Sequence, residues 1–253
     1  MAVKKKRRHR LGLLDSVRGL TLISMILYHA AWDAVYLLGA DWSWYNGEMA
    51  YIWQQSICWT FILLSGFCIP FSRKPLTRGL IVFACGALVT LVTCFVVPDQ
   101  RVIFGVLTLI GSCMILLGIL DGYLRHLGGT EIMAVSGLLF IITRCINEGF
   151  LGIWRLNLIQ LPAGIYANLV TAYLGFPFKG FWSTDYFPIL PWIFLYLFGY
   201  GLHQFLRERG LLRGDFWKTR IPVLDFLGRH SLLIYLLHQP LLYMAVLMIQ
   251  WFA

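Results

Sequence analysis

Six stretches of the chain, residues 49–72, 79–98, 102–120, 156–178, 186–206 and 231–253, contain no Asp, Glu, Lys or Arg. No other feature constrains the fold as strongly. A helix that crosses the ~30 Å hydrocarbon layer needs about 20 predominantly apolar residues. The core of a soluble domain has no need of charge-free runs that long. Apolar residues make up 59% of the 253 and charged ones 13%, against about half and a quarter in an ordinary soluble domain. The expected fold is all-α: a polytopic integral membrane helical bundle of about seven transmembrane helices plus one re-entrant or interfacial segment. It is expected to form a single transmembrane domain over residues 1–253, entered through a basic segment at residues 1–13.

The net charge of +9 is not spread evenly: basic residues gather at 4–10, 73–78 and 207–229. These clusters follow every second span, as the positive-inside rule requires of cytoplasmic loops. The N-terminus is therefore expected in the cytoplasm and the C-terminus outside. Orientation against membrane lipids accounts for the charge, and no nucleic-acid partner is called for. The basic start followed by "GLTLISMILYHAAW" imitates a signal peptide, but its His, the following Asp33 and a poor cleavage site at "HAA" mark an uncleaved first helix. The six cysteines form no CxxC and no Cys/His ligand spacing, so neither a disulfide framework nor a metal is expected.

The same topology requires one net crossing between residues 121 and 185, and two segments compete for it. "IMAVSGLLFIIT" (132–143) is short and stops at Arg144; "LNLIQLPAGIYANLVTAYLGFPF" (156–178) is long enough but broken by Pro162 and Gly164. One spans, and the other is re-entrant, interfacial or buried in protein, where irregular backbone can be satisfied.

Chemistry concentrates on the first span, "LDSVRGLTLISMILYHAAWD" (14–33), which carries Asp15, Arg18, His29 and Asp33. The uncharged window between Arg18 and Asp33 would be only ~21 Å long as a helix, so one flank must dip into the membrane region or a wet cavity. At 100° per residue all four groups fall on one face, in an arc of roughly 100°. Ionisable groups inside a bundle usually face its interior and mark a functional route. His29 and Asp33, at i and i+4, have the spacing for an imidazole held by a carboxylate and free to act as general base. Asp15 and Arg18 serve either as a brace at the helix start or as a pair that neutralises itself.

The words "LDSVRG" and "YHAAWD", with Arg18 eleven residues ahead of His29, resemble the heparan-α-glucosaminide N-acetyltransferase catalytic-domain family. They are also similar to the membrane acyltransferases that O-acetylate envelope polysaccharides. "STDYFPILPW" (183–192) and "LDFLGRHSLLIYLLHQPLL" (224–242) extend the resemblance toward the end of the chain. It implies acetyl transfer across a bacterial inner membrane: acetyl-CoA used from the cytoplasm, no metal, and an amino or hydroxyl group of a saccharide or glycan acetylated on the far side. His29 would then be the catalytic base or acetyl acceptor. The family's animal enzymes are longer and surround this His differently, so the acceptor does not carry over. The resemblance leaves room for a homo-oligomer.

Other polar groups invite supporting roles. Asn147, with Arg144 and Glu148, and Asp185 with Tyr186 stand near the expected outer end, as saccharide-binding groups or as solvated loop residues. His238, one turn after Tyr235, falls deep in the last span and needs a partner, from Tyr235 or from the first helix. Arg207, Arg209, Arg213, Lys218, Arg220 and Arg229, with His230, give a cytoplasmic mouth of the right sign for CoA phosphates; orientation and anionic lipids explain the same residues without a ligand. A competing class, a proton-coupled small-molecule transporter, would use His29 and Asp33 as relay groups. Secondary carriers commonly show internal repeats, and none is detectable. A retinal photoreceptor would need a lysine that the last span lacks.

Overall fold

The computed structural model describes residues 11–153 and 156–252; the basic run at 1–10 lies outside the described residues. In chain order the elements are α1 (Gly12–Tyr36), α2 (Glu48–Cys68), α3 (Pro75–Val96), α4 (Val106–Leu124), α5 (Gly129–Thr143), β1 (Phe150–Ile153), β2 (Leu156–Gln160), α6 (Leu169–Leu174), α7 (Ile189–Glu208), α8 (Pro222–Arg229) and α9 (Ser231–Phe252). The all-α polytopic class expected from the charge-free blocks is what folds. Among the described residues, α2, α3, α4, α5, α7 and α9, with their terminal turns, are long and apolar enough to cross a membrane. α1 has the length, at 25 residues, but its four ionisable groups leave it less apolar than those six.

The competition between 132–143 and 156–178 resolves in favour of the first. α5 and its closing turn run from Gly129 to Glu148, longer than the uncharged window suggests. Arg144 is the C-cap of the α-helix proper, and its guanidinium lies over the Trp192 ring at 4.7 Å and the Phe140 ring at 5.9 Å, a cation–π setting that lowers the cost of its charge. The second segment forms no long helix. Its first residues are β2, antiparallel to β1 with Phe150 opposite Gln160 and Ile153 opposite Leu156. Pro162 supplies no backbone donor, and Asn168 then caps the short α6 by accepting from Val170 N and Thr171 N.

Two compact units emerge, Met1–Phe61 with Gly210–Ala253, and Ile62–Arg209. In the first, α8 lies across the start of α1 at backbone contact. A Cβ on Gly19 would stand 2.1 Å from the Leu224 carbonyl oxygen, and one on Gly228 would stand 1.9 Å from that of Asp15. Only hydrogen fits at either place. The closeness lets buried Asp225 accept from Ser16 Oγ at 3.3 Å and from Arg229 Nη2 at 3.3 Å, with Arg220 Nε at 3.8 Å. In the same unit α9 packs along α1 through Leu22, Met25, Ile26, Ile234 and Tyr235.

In the second unit, α3 pairs with α4 and α5 with α7. Tyr200 donates to Asp121 at 2.9 Å, Asp121 is ion-paired to Arg125, and Gln204 Nε2 donates to the Leu124 carbonyl at 2.9 Å. Asp185, before α7, accepts from Val106 N at 3.0 Å and so closes the N-terminus of α4. Loss of solvent outweighs that hydrogen bond and pushes its carboxyl up to about 6 from the ordinary 3.8. Tyr186 donates to the Ala172 carbonyl at 2.5 Å, which ties α6 to the start of α7.

Two measurements check this packing. Gly19→Ala forces α1 and α8 apart and lowers thermal stability in detergent by about 1–3 kcal/mol, the usual range for overpacking. Gly122→Ala, where the added methyl meets nothing within 4 Å, leaves stability equal or higher by up to ~1 kcal/mol through helix propensity. For Asp185, a carboxyl raised above its unfolded value contributes stability present below 3.8 and lost as pH climbs through about 6. The unfolding temperature of the protein therefore falls across that interval, and Asp185→Asn, which keeps an acceptor for Val106, flattens the fall.

Candidate functional site

α1 places His29 and Asp33 one turn apart on one face, and α9 brings His238 and Gln239 against them. Apolar clusters bracket the four. Leu22, Met25 and Ile57 pack on one side; Ala31, Tyr45 and Ala50, with Tyr28, Trp32 and Trp53, pack on the other. Pro240 follows directly in α9 and removes the backbone donor that would have bonded the Leu236 carbonyl. A polar seam thus sits inside an otherwise apolar helix pair.

Its geometry differs from the i, i+4 pairing expected within α1. Asp33 Oδ1 accepts from Gln239 Nε2 at 3.1 Å, and no hydrogen bond joins Asp33 to His29. His29 instead faces His238, with ring centroids 4.9 Å apart and planes at 54°, and meets the Tyr28 ring edge-on at 5.8 Å. The reason is reach: on a straight helix an i+4 carboxylate can turn toward another donor, and Gln239 offers one from across the seam. His29 is half-buried, while Asp33 and His238 are buried.

His238 has a defined tautomer. Its Nδ1 lies 2.6 Å from the Tyr235 carbonyl oxygen. A carbonyl only accepts, so Nδ1 carries the proton and Nε2 of the neutral ring is left with a lone pair. That Nε2 is buried without a partner among the described residues, as are Asp33 Oδ2 and Gln239 Oε1. Three buried acceptors therefore lack a donor in one seam. Each such group costs about 1–3 kcal/mol unless something satisfies it, and buried polar groups are nearly always satisfied. A ligand bearing N–H or O–H groups would do so. An open groove of about 320 Å³ runs between α1 and α9 and is lined by Ile26, Leu233, Ile234, Leu237, His238 and Leu241.

The other anticipated residues fall in distinct places. Asp15 and Arg18 pair at 3.1 Å at the start of α1, beside the α8 contact. Lys218 is paired with Asp215 at 2.6 Å and Arg220 stands near Asp225. Arg213 is exposed in a 3-10 turn. His230 ends α8, its Nδ1 2.9 Å from the Phe226 carbonyl oxygen. Arg207 and Arg209 close α7 in the second unit, Arg209 over the Phe205 ring at 4.1 Å. Asn147 also belongs to the second unit, with its Oδ1 buried and unpartnered among the described residues. Asp185 and Tyr186, in that unit too, hold the ends of helices. Gln239 was not anticipated. Its signal was there to read, an amide directly after His238 in a span otherwise free of strong hydrogen-bonding groups nearby.

Among the described residues, no cluster of three or more His, Cys, Asp or Glu could hold a metal ion. Comparison with curated proteins yields no match, nor does comparison with solved structures. The family model for heparan-alpha-glucosaminide N-acetyltransferase, catalytic, matches residues 10–240. That interval opens just before α1 and ends at Pro240, so it encloses His29, Asp33, His238 and Gln239. The chain belongs to the heparan-alpha-glucosaminide N-acetyltransferase catalytic family of membrane acetyltransferases.

Proposed function

We propose that this protein transfers acetyl from cytoplasmic acetyl-CoA to the amino group of a saccharide on the far side of a bacterial inner membrane, with His29 as the reacting imidazole. The observation that carries the reading is the seam of His29, His238, Asp33 and Gln239. A protonated primary amine brings three N–H donors, and the seam holds three buried acceptors without one. A hydroxyl brings a single donor. The family's N-acetylating character points the same way.

The chemistry needs an unprotonated amine near a thioester carbonyl. His29 as general base takes one proton from the ammonium and passes it to water; the freed nitrogen lone pair attacks the acetyl carbon, a C–N bond forms, the C–S bond breaks, and the second proton lost from nitrogen goes through His29 to the departing thiolate. In a two-step route the His29 imidazole itself attacks the thioester and expels the CoA thiolate, and the amine then takes the acetyl group as the bond to imidazole breaks and the ring is regenerated. Asp33, fixed by Gln239, orients and neutralises the ammonium before transfer. His238 positions the His29 ring and offers its Nε2 to the same amine.

The donor approaches from the other end of α1. Arg18 stands eleven residues before His29, about 16 Å along the axis, and Arg213, Lys218, Arg220 and His230 supply positive charge in the same unit for the CoA phosphates; Arg207 and Arg209, at the end of α7 in the second unit, are proposed for the same ligand on their charge alone. Asp15 and the Asp225 contacts hold that mouth to α1. Within the second unit, Asn147, Asp185 and Tyr186 are proposed as saccharide-binding groups by their hydrogen-bonding chemistry.

His29→Ala abolishes transfer from labelled acetyl-CoA while the protein remains monodisperse with an unchanged melting temperature; full activity in that variant would remove the mechanism. Label retained on the protein before acceptor is added, and absent in His29→Ala, assigns the two-step route. Asp33→Asn lowers kcat at least tenfold with little change in CoA affinity, and the converse pattern would place Asp33 in donor binding. CoA at a hundredfold its dissociation constant stabilises the purified protein by about 2.7 kcal/mol, whereas a carrier of unrelated solutes would not respond.

A further inference from the structure

The loop that follows α1, "GADWSWYNGE" (39–48), holds two indoles in the open. Trp42 and Trp44 are 42% and 45% exposed, and their rings stack with centroids 6.1 Å apart and planes 21° from parallel. They are not loosely placed. Trp44 stacks on Trp53 at 6.3 Å and 28°, and Trp53 is pinned by donating Nε1–H to Ser24 Oγ at 2.8 Å. Buried Tyr45 anchors the 3-10 turn by donating to the Tyr28 carbonyl at 3.1 Å. Trp53 also meets the Tyr28 ring edge-on at 5.3 Å, and Tyr28 meets His29 at 5.8 Å. An unbroken run of ring contacts therefore leads from the exposed indoles to the reacting imidazole.

The charge of this segment is one-sided. From residue 19 to residue 72 the charged residues are Asp33, Asp41 and Glu48, with no Lys or Arg. One face of a pyranose ring carries only C–H groups, and these settle on the electron-rich face of an indole. Ammonium groups are drawn both to indole faces and to carboxylates. A sulfated or otherwise polyanionic chain would meet only repulsion here.

We propose that Trp42 and Trp44 form an extended saccharide subsite for an amino-sugar chain bearing free amines, which holds the sugars behind the one whose amine reaches His29. This rests on the acetyltransferase reading and adds to it a polymeric, cationic acceptor rather than a free monosaccharide. Tryptophans are also common at membrane–water interfaces, where they would serve only as an anchoring belt. A belt has no preference for chain length.

Calorimetric titration of the full-length protein in detergent, with free glucosamine and with a β-1,4-linked glucosamine tetramer as probes, separates the two. The tetramer is expected to bind at least tenfold tighter than the monomer. Trp42→Ala with Trp44→Ala brings the tetramer to the monomer's affinity and raises its KM in step, about tenfold. Trp42→Phe with Trp44→Phe keeps a ring at each place and preserves most of the advantage, which excludes a folding defect as the cause. A tetramer that binds no tighter than the monomer, an alanine pair that loses nothing, or tighter binding of an N-sulfated tetramer would overturn the proposal. Absence of acetyl transfer to either probe by the wild-type protein would instead overturn the acetyltransferase reading, since the binding titrations are made without acetyl-CoA.

Discussion

The contact on which the rest depends is the crossing of α9 over the C-terminal half of α1, where Gln239 donates to Asp33 and the His29 and His238 rings lie 4.9 Å apart. A carboxylate and two imidazoles in a membrane helix pair are costly unless partnered. Here Asp33 and His238 are each partnered on one side only. Gln239 holds one oxygen of Asp33, Tyr235 holds one nitrogen of His238, and the opposite atoms remain open as acceptors. Half-satisfaction of this kind is a poor way to build a stable core and a good way to receive a ligand that supplies the missing donors.

The N-terminal end of α1 is built on the opposite principle. Gly19 and Gly228 let α8 lie on α1 at backbone distance, and buried Asp225 is surrounded by Ser16, Arg220 and Arg229. Asp15 and Arg18 pair beside it. Every charged group there finds an opposite one. A rigid, satisfied base and an unsatisfied seam on a single 25-residue helix explain why α1 carries more ionisable chemistry than any span in the chain.

Family membership aligns with this division. The matched interval contains α1, the α8 brace and the first part of α9 as far as Pro240. The acidic, Trp-bearing loop after α1 belongs to the same interval but has a character of its own, with no cation to meet a polyanionic glycan. The polar seam and the acidic loop are thus adjacent but separate features of one unit.

Much of this was legible in the sequence. Charge-free blocks of about 20 residues announce membrane helices because hydrocarbon admits nothing else, and the 100° step of a helix puts Asp15, Arg18, His29 and Asp33 on one face wherever α1 goes. What only the tertiary structure decided is who partners whom. Spacing within α1 suggested that Asp33 would hold His29; α9 supplies Gln239 and His238 instead, because a side chain takes the nearest donor in space rather than in sequence. Likewise 156–178 reads as apolar enough to span, yet it forms a strand and a short helix, while Arg144 at the end of α5 settles over Trp192. Hydropathy counts charges one residue at a time, and it is packing that determines which of them are neutralised.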